Sequence, residues 1–209
     1  IMRNGKIAMK LAEGDSLIGV LPCQPSDHIL LASRRGKAIR FAAEDVRLFR
    51  GRNSVGVRGM RLLNEDKLVS MCVIRDPEQE FVLSITENGY GKRTSVGEYR
   101  KAGRGGQGVA NIETSARNGF VVASFTVFAE DQLMLVTDAG KVIRIRVDGG
   151  EGDVIRIAGR KTQGVRLFEV DGEEKVVSVG VIRDADDSHD TEDNETLGEP
   201  QDAETDGFS

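Results

Sequence analysis

A glycine followed by alternating residues returns four times along this chain of 209 residues: Gly5-Lys6-Ile7-Ala8-Met9, Gly56-Val57-Arg58-Gly59-Met60, Gly108-Val109-Ala110-Asn111-Ile112 and Gly164-Val165-Arg166-Leu167-Phe168. Twelve residues after each glycine an apolar run begins, at Leu17, Leu68, Phe120 and Val176. Between these pairs lie three hairpin-like segments, 30–41, 82–93 and 134–145, each turning at a glycine: Gly36, Gly89 and Gly140. A period of about 50 residues decides the architecture before any local reading does. Asn88-Gly89 and Ala139-Gly140 between apolar runs supply the positive-φ residue that tight hairpin turns require. Each repeat holds four short β-rich runs, and helical periodicity is nearly absent.

A four-stranded unit of this size cannot bury both of its faces alone, so it stacks radially on its neighbours. The repeat therefore predicts an all-β, propeller-like array of four-stranded blades over residues 1–182, with repeats starting near Leu17, Leu68 and Phe120 after a leading fragment. A β-sandwich, the competing all-β architecture, gives no reason for a fixed period.

Net charge misleads until it is divided. The chain holds 29 Lys and Arg against 34 Asp and Glu, a formal −5. Residues 183–209 contain one Arg and eleven acidic side chains, or −10, which leaves 28 basic against 23 acidic residues, or +5, in the body. Such asymmetry points to nucleic acid. The acidic segment has too few apolar side chains to repay its ordering entropy and is expected to be a disordered tail. Two roles fit it, a polyanion competing with DNA for a basic rim and a solvated end that aids solubility.

No apolar run approaches the roughly 18 residues needed to cross a bilayer, and the N-terminus lacks a signal peptide's hydrophobic region. The expectation is a soluble, unexported chain, and its opening on Ile1 suggests a piece of a longer one. Cys23 and Cys72 sit in apolar runs, as buried thiols of a reducing compartment would.

The inventory excludes most catalysis. Of the two histidines, His189 falls in the acidic segment and His28 in a turn, where a surface position is expected. No zinc spacing and no Ser/His/Asp set can be assembled. Gly103-Arg104-Gly105-Gly106-Gln107-Gly108 satisfies G-x-G-x-x-G, but a dinucleotide site needs a helix next, and Val109-Ala110-Asn111 belongs to the strand family. Gly89-Tyr90-Gly91-Lys92-Arg93-Thr94 lacks the first glycine and the hydroxyl residue of a Walker A loop.

Positive charge, by contrast, recurs with the repeat. Around the hairpins stand Arg34, Arg35, Lys37 and Arg40, then Lys92 and Arg93, then Lys141, Arg144 and Arg146; before the repeat-opening glycines stand Arg47, Arg50 and Arg52, then Arg100, Lys101 and Arg104, then Arg156, Arg160 and Lys161. Radial stacking turns a recurring position into a stripe that suits the backbone of double-stranded DNA, where each neutralised phosphate steepens the salt dependence by about 0.9 log units. Stacking aromatics are scarce on these segments, which favours a duplex over a single strand. The other readings are charges that keep strand edges soluble, and a propeller scaffold whose basic rim meets acidic protein surfaces.

Gly14-Asp15-Ser16-Leu17-Ile18-Gly19-Val20, Gly56-Val57-Arg58-Gly59, Asn88-Gly89-Tyr90-Gly91-Lys92-Arg93-Thr94, Thr137-Asp138-Ala139-Gly140 and Gly159-Arg160-Lys161-Thr162-Gln163-Gly164-Val165 together resemble the DNA gyrase A C-terminal domain, a family shared in looser form with the matching domain of topoisomerase IV. Ala102-Gly103-Arg104-Gly105-Gly106-Gln107-Gly108 is similar, at four of seven positions, to that family's Gln-Arg-Arg-Gly-Gly-Lys-Gly box, which is absent as such. The resemblance implies a β-pinwheel entered partway round its ring of blades. It also implies wrapping of DNA on a positive rim, so that ATP-driven strand passage introduces negative supercoils. It further implies a non-catalytic part of a type II topoisomerase (an isomerase), with no cofactor of its own. The partners implied are the rest of gyrase A and gyrase B in an A2B2 holoenzyme that uses ATP and Mg2+ in the bacterial cytoplasm, associated with the nucleoid. The equivalent domain of topoisomerase IV is the alternative within the same resemblance.

Overall fold

The computed structural model describes residues 7–51, 53–149 and 154–183. Arg52 and the acidic segment after Arg183 lie outside the described residues. The described chain forms β1 (His28–Ser33), β2 (Lys37–Ala42), β3 (Leu68–Ile74), β4 (Phe81–Thr86), β5 (Tyr90–Ser95), β6 (Val109–Ala110), β7 (Val121–Val127), β8 (Gln132–Thr137), β9 (Val142–Arg146), β10 (Val165–Arg166) and β11 (Val176–Ile182). Single 3-10 turns follow β2 at Ala43–Asp45 and β5 at Val96–Glu98. The hairpins β1–β2, β4–β5 and β8–β9 fall on the three segments expected from the sequence. Gly36, Gly89 and Gly140 hold their turns at φ of 78°, 77° and 80°.

Blades, however, do not coincide with repeats. The first sheet runs β3-β1-β2-β6, the second β10-β5-β4-β7 and the third β11-β8-β9, all antiparallel. A hairpin takes its inner strand from the apolar run that follows it. Its outer strand comes from beyond the next hairpin: Lys37 pairs with Ala110, and Gly91 with Val165. Period alone could not show this exchange, because a repeat has the same length whichever blade its strands join.

The repeat-opening glycines explain how the outer strand seats. Gly108 (φ 73°) and Gly164 (φ 77°) lie against the backbone of β2 and β5, where a Cβ would sit 2.3 Å from the Ala38 carbonyl oxygen and 2.6 Å from that of Gly91. Positive φ and this close approach together select glycine.

The inner strands stand side by side, β3 against β7 and β7 against β11. Pleating sends alternate residues of each sheet toward different neighbours. Leu30, Ala32, Cys72 and Ile74 of the first blade pack with Val82, Val96 and Tyr99 of the second. Leu83, Ile85 and Val127 pack with Leu133, Leu135, Val147 and Val176. Each such aliphatic side chain, fully withdrawn from water, contributes about 1.5–3 kcal/mol. The first blade's other face gathers Ile29, Leu31, Ile39, Phe41, Met60 and Val73.

Two edges differ. Among the described residues no strand pairs with the outer side of β9, whose Val142 is 59% exposed. The run beginning at Leu17 likewise has no strand partner among them, and Leu17, Ile18 and Val20 are exposed. This overturns the expectation of two buried thiols: Cys72 is buried, its thiol pushed up to about 12 by burial, whereas Cys23 at the end of the unpaired run is exposed, and both are free.

Candidate nucleic-acid interface

The expected basic residues separate by whether a neighbouring blade covers them. Arg40, Lys92 and Arg93, placed by the sequence on a DNA-facing stripe, turn inward, with exposures of 9%, 0% and 5%. They fasten one blade to the next. Arg40 donates through Nη1 to the carbonyls of Val96 (3.0 Å) and Tyr99 (3.3 Å) after the second hairpin. At the equivalent place in the second blade, four residues after the turn glycine, Arg93 donates through Nε to the Ile155 carbonyl at 2.8 Å. Lys92 Nζ donates to the Gly159 carbonyl. The chain beyond each hairpin runs alongside these residues, with parallel bridges Arg40↔Lys101 and Arg93↔Ile157. A long cation at this position reaches the neighbouring blade, and burial in the seam follows. Desolvation lowers the Lys92 ammonium to about 8.

His28, expected on the surface, is half-buried. Its Nδ1 accepts from Arg40 Nε and Nη2 at 3.2 and 2.7 Å. Desolvation, with the Arg40 charge beside it, lowers its pKa and favours the neutral acceptor ring.

Arg144 occupies the same repeat position in the third blade, where no described blade follows. It is exposed and donates to Gln132 Oε1 at 2.8 Å. With Arg146, Arg156 and Arg166 it lines an open groove of about 1000 Å³ along the outer side of β9, floored by Ile145, Ile155 and Leu167. A second groove, of about 360 Å³, crosses the seam between the first and second blades, with Arg35 and Lys37 on one wall and Lys161 on the other. Arg47 and Arg50 flank a third depression after β2, with Arg47 over the Phe49 ring. Arg100 and Lys101 are exposed beside β2.

Other members of the set are exposed but tied. Arg34 pairs with Glu87 at 3.4 Å and lies over the Phe120 ring. Arg104 donates to the carbonyls of Asp45 and Arg58, both at 3.0 Å. Lys141 lies between Asp171 and Glu174, each at 3.0 Å, and their hydrogen bonds raise its pKa. Half-buried Arg160 donates to the Ala110 carbonyl at 3.0 Å. Sequence reasoning missed Arg117 and Arg166: Glu65 and Glu173 stand at the place of Arg117 in the repeats before and after it, and Arg166 recurs only at Arg58, with Ala110 at the same place in the repeat between them.

Four-stranded antiparallel blades with exchanged outer strands, carrying basic loops at their seams, define a propeller-like blade array. The chain belongs to the family described as DNA gyrase C-terminal domain, beta-propeller, whose model matches residues 3–24, 27–74, 80–127 and 131–183. It is 37% identical to DNA gyrase A of Rickettsia conorii, over 98% of this chain and 27% of that protein. It is 43% identical to DNA gyrase A of Escherichia coli K12, over 89% and 20%. The chain thus spans about a quarter of the length of the curated relatives it matches. The structure of a DNA gyrase A C-terminal domain superposes with a TM-score of 0.74 at 27% identity, covering 87% of this chain and 59% of that one. The crystal structure of the C-terminal domain of DNA topoisomerase IV shares the fold, with a TM-score of 0.76 at 24% identity over 84% and 52%.

Proposed function

We propose that this chain binds and bends double-stranded DNA as part of a gyrase A protein, orienting the duplex for strand passage catalysed elsewhere in the holoenzyme. On this reading the catalytic core and gyrase B, with ATP and Mg2+, belong to a larger A2B2 assembly acting on the bacterial nucleoid, and the blades contribute binding alone. The observation that carries the reading is that recurrent cations are left exposed on blades of this family, among them Arg35, Lys37, Arg47, Arg50, Arg100, Lys101, Arg156 and Lys161. Bending a site of 20–30 bp by 40–90° costs about 1–6 kcal/mol, which many phosphate contacts offset.

A gel-shift titration of linear duplex at several salt concentrations tests it. Binding at low salt with a steep negative log–log slope is expected. A folded chain that fails to shift duplex at low salt overturns the reading.

A further inference from the structure

We propose that Arg117 and Arg166 form a seat for one phosphodiester group of duplex DNA, with Tyr90 as the positioning residue that holds the two guanidiniums together. The proposal rests on the DNA-binding reading above and assigns to it a site that repeat analysis does not find.

Tyr90 opens β5 directly after the turn glycine, and β10 places Arg166 as its cross-strand partner. Arg166 Nη2 and Arg117 Nε both donate to the Tyr90 hydroxyl, each at 3.3 Å. The same guanidiniums pack against the ring, 5.1 Å (Arg117) and 5.7 Å (Arg166) from its centroid. Two cationic groups therefore share one phenol oxygen as acceptor and one ring as packing partner. Like charges this close repel unless an anion joins them. The remaining N–H groups and the phenol's own proton supply several donors converging on one place, the pattern that suits a phosphate.

Among the described residues one carboxylate pairs with the two guanidiniums, through Arg166. Glu169 accepts from Arg166 Nη1 at 3.1 Å. Glu87, the carboxylate of the same hairpin, is paired with Arg34. Among the described residues no carboxylate lies within ion-pair distance of Arg117. The third blade shows the opposite polarity at the corresponding place: there a cation, Lys141, follows the turn glycine and two carboxylates flank it.

The seat is also rigid. Arg117 rides on the turn between Ser115 and Gly119, which is pinned by fully buried Asn118. Asn118 Nδ2 donates to the carbonyls of Glu113 (2.8 Å) and Gln163 (3.1 Å), and its Oδ1 accepts from Ser115 N at 2.8 Å. Asn88 Nδ2 holds the Ala116 and Arg117 carbonyls. Arg117 is thereby fixed relative to the strand that carries Arg166, as a preorganised site requires.

The test compares the wild-type chain with R117Q/R166Q, R117K/R166K and Y90F, reading duplex affinity against salt and the 13Cζ resonance of Tyr90. Loss of one phosphate contact lowers the log–log salt slope of R117Q/R166Q by about 0.9 and weakens binding roughly ten-fold. R117K/R166K retains the slope, because the charge remains. Y90F binds a few-fold more weakly with the slope preserved, as expected when only positioning is lost. Duplex shifts the Tyr90 resonance in the wild-type chain. If wild-type binds duplex while R117Q/R166Q keeps the same slope and Tyr90 does not shift, the seat is refuted and the DNA reading stands. An equal Tyr90 shift with inorganic phosphate at matched ionic strength, without a slope change in R117Q/R166Q, refutes the duplex assignment. Absence of duplex binding by the wild-type chain refutes both.

Discussion

At the scale of single residues, the recurrence of a cation has two physical outcomes, and whether a neighbouring blade covers the position decides between them. Arg40 and Arg93 look identical in sequence to exposed phosphate ligands, yet they saturate carbonyls across a blade seam. Arg93→Ala or Arg40→Ala should lower the unfolding free energy by about 2–4 kcal/mol, since buried acceptors lose charged donors. Arg144→Ala, at the same repeat position but exposed, should change it by less than about 0.5 kcal/mol; denaturant melts of the three variants check the contrast. Lys92 adds a pH signature. Its folded pKa, about 8, lies below a free lysine's 10.5, so between these values the unfolded chain binds more protons than the folded one. Stability contributed through Lys92 is therefore least below pH 8 and rises toward pH 10.5. Lys92→Met should abolish that increment relative to wild type in melts across the range. None of this was legible in composition: a Lys or Arg on a strand reads as solvated until the neighbouring strand is placed.

At the scale of elements, most of the fold was legible and its connectivity was not. Hairpin glycines, turn positions and the inner strands β3, β7 and β11 appear where spacing and φ preference require them, whereas the run at Leu17, read from the same spacing, forms no strand. The outer strands β6 and β10 are two residues long, too short for any periodicity, and their partners lie more than seventy residues away. Close backbone approach at the repeat-opening glycine identifies them instead. Gly108→Ala and Gly164→Ala should each cost more than about 2 kcal/mol, combining positive φ with a blocked approach. Gly56→Ala should cost only about 1 kcal/mol, since φ there is 78° but its nearest contact is the Met9 Cε at 3.7 Å. Unfolding free energies that rank the three glycines equally would contradict the docking role.

At the scale of the whole molecule, the two blades whose outer edge is covered by an exchanged strand differ from the one whose outer edge has no described partner. The outward amides of β9 have no described strand partner, whereas those of β2 and β5 are covered in part by β6 and β10. Native-state hydrogen exchange should find alternate β9 amides exchanging at rates near those of a free edge while β4 and β7 remain protected. The distribution of charge across the molecule, rather than its total of −5, was the legible guide to a DNA partner. The specific seat at Tyr90 was hidden because Tyr90 and Arg117 break the repeat, with Lys37 and Lys141 at the place of the first and Glu65 and Glu173 at that of the second.

The exchanged outer strand also sets an order for biosynthesis. A chain emerging from the ribosome presents β1–β2 long before Val109–Ala110 exist to cover its outer side, and β4–β5 must wait in turn for Val165–Arg166. Each of these two hairpins spends the synthesis of the next one with its outer edge open, and when β5 is complete the outer edges of β2 and β5 are both still unpaired. A stop codon between two repeats would accordingly damage the blade before the break, which no truncation at a repeat boundary can leave intact.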